Sequence, residues 1–326
     1  MTFHSLLAST ALGMMLGAAA PALAETAPSV STAAYTQIAD TYALPLGDFE
    51  IVALSDGTVP QDLHELLTAT TDVQTDKLLS QAFLSNPVEA SVNAYLIRDG
   101  ARHILVDTGA GQLFGPGFGG KLYDSLASIG VKPEDITDIL ITHIHTDHTG
   151  GLVIDGKPAF PNATIYVGAP DLAFFLDPSN SEETGYARQY FDEAALTIGI
   201  YEKIGKVKTF AGSETILPGI VATIHPGHTP GSAFYTVSSA GQSMVFVGDI
   251  IHVAAVQFPE PGITITYDVD PGQAQAVRKE AFSEFADERQ LIAAPHLPFP
   301  GIGHIRAEGA GSFSWFPVEY RNRAGN

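Results

Sequence analysis

The stretch Ile139–Gly151, reading ILITHIHTDHTGG, constrains the fold more than any other part of this chain. Ile139, Leu140, Ile141 and Thr142 are apolar or β-branched and predict a short buried strand. The strand runs into His143, His145, Asp147 and His148, after which Gly150 and Gly151 let the chain turn sharply. Side chains alternate along an extended backbone, so His143 and His145 share one side. Asp147 and His148 follow the strand end, where a turn swings them round to face that pair. Three imidazoles and a carboxylate so close together form a ligand set for borderline metals, above all zinc. An apolar strand that delivers so many donors to one point has no packing rationale.

Three more donors sit where strands should end. His228 follows Ile220–Ile224, Asp249 follows Ser243–Val247, and His296 follows Leu291–Ala294. Any one of them alone could be structural. Together with the first four they exceed the four ligands of a single zinc, so the count implies two divalent ions sharing a bridge. Asp249 is the natural bridge, because one carboxylate offers an oxygen to each ion. Two neighbouring ions lower the pKa of a shared water and give a bridging hydroxide, while an ion also stabilises a developing oxyanion. No protein nucleophile is then needed. That agrees with the absence of Cys and of a Gly-x-Ser-x-Gly elbow.

The bulk properties narrow the class. Hydrophobic residues make up 45% of 326 residues, ample for a large core. A net charge of −20 argues against nucleic acid or anionic lipid as partners. Beyond the N-terminus no apolar run is long enough for membrane insertion. Without Cys, neither a disulfide nor a thiolate ligand is available. Residues 1–24 read as a secretory signal peptide, with an apolar Leu6–Ala20 segment and an Ala22-Leu23-Ala24 cleavage site, although Met1–Ser5 has no Lys or Arg. A periplasmic or secreted location follows.

Residues 25–47 lack periodicity and predict a poorly ordered arm, leaving 48–326 as a single domain. Asp48–Ser55 alternates like a strand and ends at an Asp56-Gly57 turn, and Gln61–Thr68 has a short helical pattern. Ser91–Ile97 and His103–Val106 predict a hairpin, the second strand ending at Asp107. An acid there is a candidate to orient a ligating imidazole from behind, or makes only a local turn. A glycine-rich loop, Gly109–Gly120, carries Phe114 and Phe118 as candidate pocket aromatics. Lys121–Gly130 predicts a helix and Asn162–Val167 a strand. Asp171–Lys206 is largely helical and aromatic, with Phe174, Phe175 and Phe191 as core residues or as a cover over the metals. Ser232–Ser239 and Ser243–Val247 form another hairpin, and Pro271–Arg289 an amphipathic helix. This order of elements is that of an α/β protein, an αββα sandwich.

The pattern His-x-His-x-Asp-His resembles the signature of the metallo-β-lactamase superfamily. A closer resemblance runs through Ser91–Ile97, Val106–Pro116, His225–Gly231, Gly248–Phe258 and His296–Gly309, which look like the methyl parathion hydrolase family with its phosphotriesterases, lactonases and arylesterases. The resemblance implies two ions, one held by His143, His145 and His228, the other by Asp147, His148 and His296, with Asp249 between. It also implies an exported homodimer. Only His228 of the His225–Gly231 block matches a ligand position, so His225 is left out. These ligands would also accept manganese, cobalt or iron.

His252 follows the bridging Asp by three residues, with Ile265 and Tyr267 on the next run. Facing the metals, its imidazole would donate to a lactone or ester oxygen, which favours lactones and aryl esters over organophosphate triesters; a dedicated organophosphate hydrolase is the alternative. The bland reading makes His252 a core residue. His103 and His304 look structural or exposed, and His64 sits on a surface helix. No carboxylate anchor for a β-lactam and no basic glutathione site is visible. A metal-sequestering protein without catalysis is the reading from another class.

Overall fold

A computed structural model of the chain describes residues 41–100 and 102–322. The proposed signal segment and most of the proposed arm, residues 25–40, lie outside the described residues. Fourteen strands build two mixed sheets, each laid out in strict chain order. The first comprises β1 Thr41–Leu46, β2 Phe49–Gln61, β3 Val88–Asp99, β4 Arg102–Val106, β5 Asp138–Leu140, β6 Thr164–Gly168 and β7 Val207–Phe210. The second comprises β8 Ser213–Leu217, β9 Ile220–Ile224, β10 Ala233–Ser239, β11 Gln242–Phe246, β12 Leu291–Ala293, β13 Ile302–Gly309 and β14 Ser312–Pro317. Pairing is antiparallel from β1 to β4 and parallel from β4 to β7. In the second sheet only β11 and β12 run parallel.

Alternation along each strand sorts side chains between layers. Ile51, Ala53, Tyr95 and Ile97 of the first sheet meet Tyr235, Val237, Met244 and Phe246 of the second in the central core. Their neighbours Val52, Leu54, Ala94 and Leu96 point the other way, onto Leu122 and Leu126 of helix Leu122–Ser128 and onto Phe175 and Phe191. On the far side Val245 and Ile292 pack with Phe282 and Phe285 of helix Pro271–Glu288. Both sheets are therefore covered on both faces, and the order of layers is αββα as expected.

Several boundaries differ from the sequence expectation. Thr41–Leu46 is not part of an arm but pairs with Leu54–Phe49 of β2, because Leu46 is buried in the central core. The Asp56-Gly57 turn is instead a bulge inside β2, and the strand continues to Gln61. Only Leu63–Leu66 of the Gln61–Thr68 pattern is helical. Helix Asp72–Gln81, capped by the Thr71 side chain and burying Leu78 and Leu79, is a further element. The aromatic segment breaks into helices Ala169–Phe175, Ser179–Thr184, Arg188–Leu196 and Ile198–Lys203 before β7.

Candidate metal centre and substrate pocket

The strand ends of β4, β5, β11 and β12 converge on one edge of the sandwich, and the donors hang from them. Asp107 follows β4 with φ of 58°, a left-handed conformation that turns its carboxylate across β5. There it accepts the Thr142 N–H at 2.8 Å and the Thr142 hydroxyl at 2.8 Å, and it meets His148 Nδ1 at 2.9 Å. His143 and His145 leave the strand, and the single helical turn Thr146–Thr149 carries Asp147 and His148. Gly150 and Gly151 are required for close approach rather than for a sharp turn. A Cβ would lie 2.1 Å from Ala110 O and 1.9 Å from Thr108 O respectively, and Gly150 itself has helical φ.

His228 follows β9, with Nδ1 held at 2.8 Å from Asp268. Asp249 lies in a turn after β11, where Gly248 takes φ of 51° and a Cβ would sit 3.0 Å from Thr142. His296 follows β12, its Nδ1 2.8 Å from the Ser91 carbonyl of β3. Of the seven donors, all except Asp147 are buried.

The inward atoms form two overlapping groups. His143 Nε2, His145 Nδ1 and His228 Nε2 stand 3.1, 3.1 and 3.2 Å apart. Three ligands on one tetrahedral zinc, at roughly 2.0–2.1 Å each, would lie about 3.3 Å from one another. Asp147, His148 and His296 make the second group, with His296 Nε2 3.4 Å from Asp147 and His148 Nε2 3.6 Å from it. Asp249 touches both: Oδ2 lies 3.0 Å from His296, 3.5 Å from His228 and 3.6 Å from His143, while Oδ1 lies 3.4 Å from His148. His148 Nε2 and Asp249 Oδ1 are buried with no hydrogen-bond partner among the described residues. Imidazole and carboxylate donors gathered this closely in overlapping groups fit two divalent ions.

The electrostatics point the same way. Burial pushes His143 and His145 well below the usual imidazole range, and the neighbouring imidazoles add to it, so both are neutral ligands. Burial opposes ionisation of Asp249, yet His296, His148, His143 and His252 hold its carboxyl well below the ordinary range. For His296 burial is again opposed, and Asp249 and Asp147 lift it to about 9.

His252 is buried beside this floor, its Nε2 3.1 Å from Asp249 Oδ2 but not aligned for a hydrogen bond, and its Nδ1 has no partner among the described residues. It lines a cavity of about 290 Å³ together with His145, Asp147, Asp249, His296, Phe114 and Tyr267. Four expected pocket residues are elsewhere. Phe175 and Phe191 are fully enclosed in the outer core of the first sheet, with Phe174 packed against them, since they occupy the inward stripes of their helices. Ile265 is buried in a small cluster with Leu63, Leu79 and Val256, facing away from the cavity. What the aromatic segment does present is Tyr190, Gln189 and Glu193, opposite Val59, Pro60, Gln61, Asp62 and Glu65 from the end of β2 and the turn after it. Their signal was the helical spacing from Gln189 to Glu193 on the face away from Phe191. His225 is stacked on Phe234, away from the donors. His304 and His64 are exposed, and His103 is half-buried on β4.

Residues 88–306 match the model of the metallo-β-lactamase superfamily, more than half of the chain. The chain belongs to the metallo-β-lactamase superfamily. Within it, the hydrolase AbOPH of the β-lactamase superfamily is 35% identical, with a TM-score of 0.83 over 88% of this chain and 100% of that one. AidC, a dizinc quorum-quenching lactonase, is 29% identical, with a TM-score of 0.79 over 86% of this chain and 98% of its own. The N-acyl homoserine lactonase of Bacillus cereus is 26% identical over 127 residues, 39% of this chain and 43% of that protein. The chain thus spans less than half the length of that curated relative. All seven donors lie inside the superfamily match.

Proposed function

We propose that this protein is a binuclear metal-dependent hydrolase of lactones and aryl esters, with organophosphate triester hydrolysis as a side activity. The observation that carries the reading is Asp249, whose carboxylate reaches both histidine groups at the floor of a cavity, Oδ2 lying 3.5 Å from His228 and 3.0 Å from His296 and Oδ1 3.4 Å from His148. His143, His145 and His228 would hold one ion, Asp147, His148 and His296 the other, and Asp249 both. Zinc suits this nitrogen-rich set best, and the dizinc centre of AidC supports it. Bound there, two such ions would supply Lewis acidity and would lower the pKa of a water toward neutrality, so that hydroxide would be the nucleophile.

The remaining work falls to the chain. Asp107 and Asp268 orient His148 and His228 from behind and fix which ring nitrogen faces inward. His252 presents an unpartnered imidazole nitrogen to the acyl or leaving oxygen of a bound ester. Leu113, Phe114, Tyr190 and Tyr267 provide an apolar wall for an aryl group or acyl chain and limit water. No Lys or Arg is among the lining residues, whereas Asp62, Glu65 and Glu193 are. Such a mouth disfavours substrates carrying a carboxylate, β-lactams among them, and suits uncharged lactones. The lactonases among the relatives support the same class. On the resemblance alone, we also propose an exported homodimer.

The test is a turnover panel on the zinc-loaded protein: dihydrocoumarin, an acyl-homoserine lactone, 4-nitrophenyl acetate and methyl paraoxon, with metal analysis. The expected result is about two ions per chain and lactones or aryl esters ahead of the phosphotriester. One ion with full activity, or no turnover of any ester or lactone, would overturn the reading. Asp249→Ala should lose the ions and the activity together.

A further inference from the structure

The hydroxyl of Tyr186 stands between a metal-site imidazole and the pocket wall, 2.8 Å from His145 Nε2 and 2.8 Å from the backbone carbonyl of Tyr267. Contacts this short need a proton along each of them, since two bare acceptors repel. The carbonyl has no proton to give, so the single phenolic proton lies toward Tyr267. The proton on the other contact therefore belongs to His145 Nε2. A neutral imidazole has one N–H. Its Nδ1 is then a bare lone pair, and Nδ1 is the atom 3.1 Å from both His143 Nε2 and His228 Nε2.

We infer that Tyr186 is a positioning residue that selects the Nε2–H tautomer of His145 and ties this ligand to the substrate wall at Tyr267. The inference rests on the two-ion reading of the site. His143 is held from behind by the Thr142 hydroxyl, His148 by Asp107 and His296 by the Ser91 carbonyl, all on the first sheet or the loop leaving it. His228 is held by Asp268. His145 depends on a residue of the helical segment between β6 and β7. Tyr186 follows Gly185, whose φ of 74° ends helix Ser179–Thr184 and sends the next side chain inward. Its ring stacks on Tyr190, with centroids 5.0 Å apart, so removing the hydroxyl leaves the ring supported. The aromatic segment is on this account part of the metal centre and not only its cover.

Two measurements test it. Long-range ¹H–¹⁵N spectra of zinc-loaded, ¹⁵N-histidine protein should show one ring, His145, as the Nε2–H tautomer with zinc on Nδ1. Assignment is by His145→Gln. A Nδ1–H form of His145 would overturn the inference. The second measurement is chelator competition on Tyr186→Phe. One of the two ions should be lost about ten- to a hundredfold more readily, the other should stay at wild-type affinity, and thermal unfolding of the ion-free protein should barely change. Equal loosening of both ions with a lower Tm would make Tyr186 merely structural, and unchanged affinity for both would remove its role. If wild-type protein takes up no pair of ions, the two-ion reading itself fails. Two ions in the wild type with an indistinguishable Tyr186→Phe protein would sink the tautomer argument alone.

Discussion

The imidazole of His252 lies almost flat on that of His296, with ring centroids 5.2 Å apart and planes 13° from parallel. This contact places His252 against the proposed ligands with its own nitrogens free of hydrogen bonds. Burial holds the His252 ring below the usual range although Asp249 opposes it, so the ring is neutral near pH 7.

Replacing it tests its part in turnover. A hydrogen bond from His252 to the reacting ester is worth roughly 1.5–3 kcal/mol, or about ten- to a hundredfold in kcat/KM. His252→Leu should slow lactone hydrolysis by that factor and raise the rate on methyl paraoxon, because the pocket becomes roomier and apolar. Equal losses on both substrates would assign His252 to the core.

Ion uptake should depend on pH with a defined sign. In the ion-free protein His296 sits at about 9, above its ordinary 6.5, and His148 is also raised. Ligands must be neutral imidazoles, so binding expels protons and apparent affinity should climb with pH up to about 9, about tenfold per pH unit for each proton released. Chelator competition at pH 6, 7 and 8 reads this slope. The His296 shift also stabilises the ion-free fold fully below pH 6.5, a contribution lost as pH rises toward 9.

Asp171 joins the two halves of the histidine triad. Its carboxylate accepts the Ile144 N–H at 2.9 Å, the Thr229 hydroxyl at 2.8 Å and the Gly231 N–H, while fully buried. Burial pushes this carboxyl up to about 6 against those donors. Asp171→Asn turns an NH₂ group toward an N–H and should cost about 1–3 kcal/mol. Denaturation of the ion-free protein measures it, and an unchanged midpoint would contradict the clamp.

Charge at the pocket mouth predicts selectivity among matched esters. Mono-4-nitrophenyl succinate carries a distal carboxylate and 4-nitrophenyl butyrate does not. With Asp62, Glu65 and Glu193 lining the cavity, kcat/KM should favour the neutral ester by roughly tenfold at low salt. Added salt should narrow the gap. Equal rates would mean the acids do not face the substrate.

Export has its own check. Mature protein isolated from the native cell should begin near Glu25, and protein that still starts at Met1 would rule out a signal peptide.

The sequence was most readable where one residue type can do one job. The seven donors were legible because an imidazole or carboxylate placed directly after an apolar strand has few other reasons to be there. The αββα order was legible for a similar reason, since strands covered on both faces read as unbroken apolar runs. Phe175 and Phe191 were ambiguous because an aromatic at helical spacing looks the same whether its stripe faces a core or a cavity. Asp171 and Tyr186 were invisible as partners. Each acts through atoms brought close only by tertiary packing, Asp171 lying 58 residues from Thr229 and Tyr186 lying 81 from Tyr267.

Asp56, read from sequence as part of a turn, is buried in the bulge of β2. Its carboxylate accepts the N–H groups of Ala110, Gly120 and Leu122, pinning the glycine-rich loop at both its ends. Gly109 has no room for a side chain there, with a Cβ only 2.2 Å from the Asp56 carboxyl carbon. Between those pins the loop carries Leu113 and Phe114 to the cavity without touching a donor. It is therefore an exchangeable panel: its length and side chains can drift under selection, or be recombined by a designer, while the inorganic chemistry behind it stays in register.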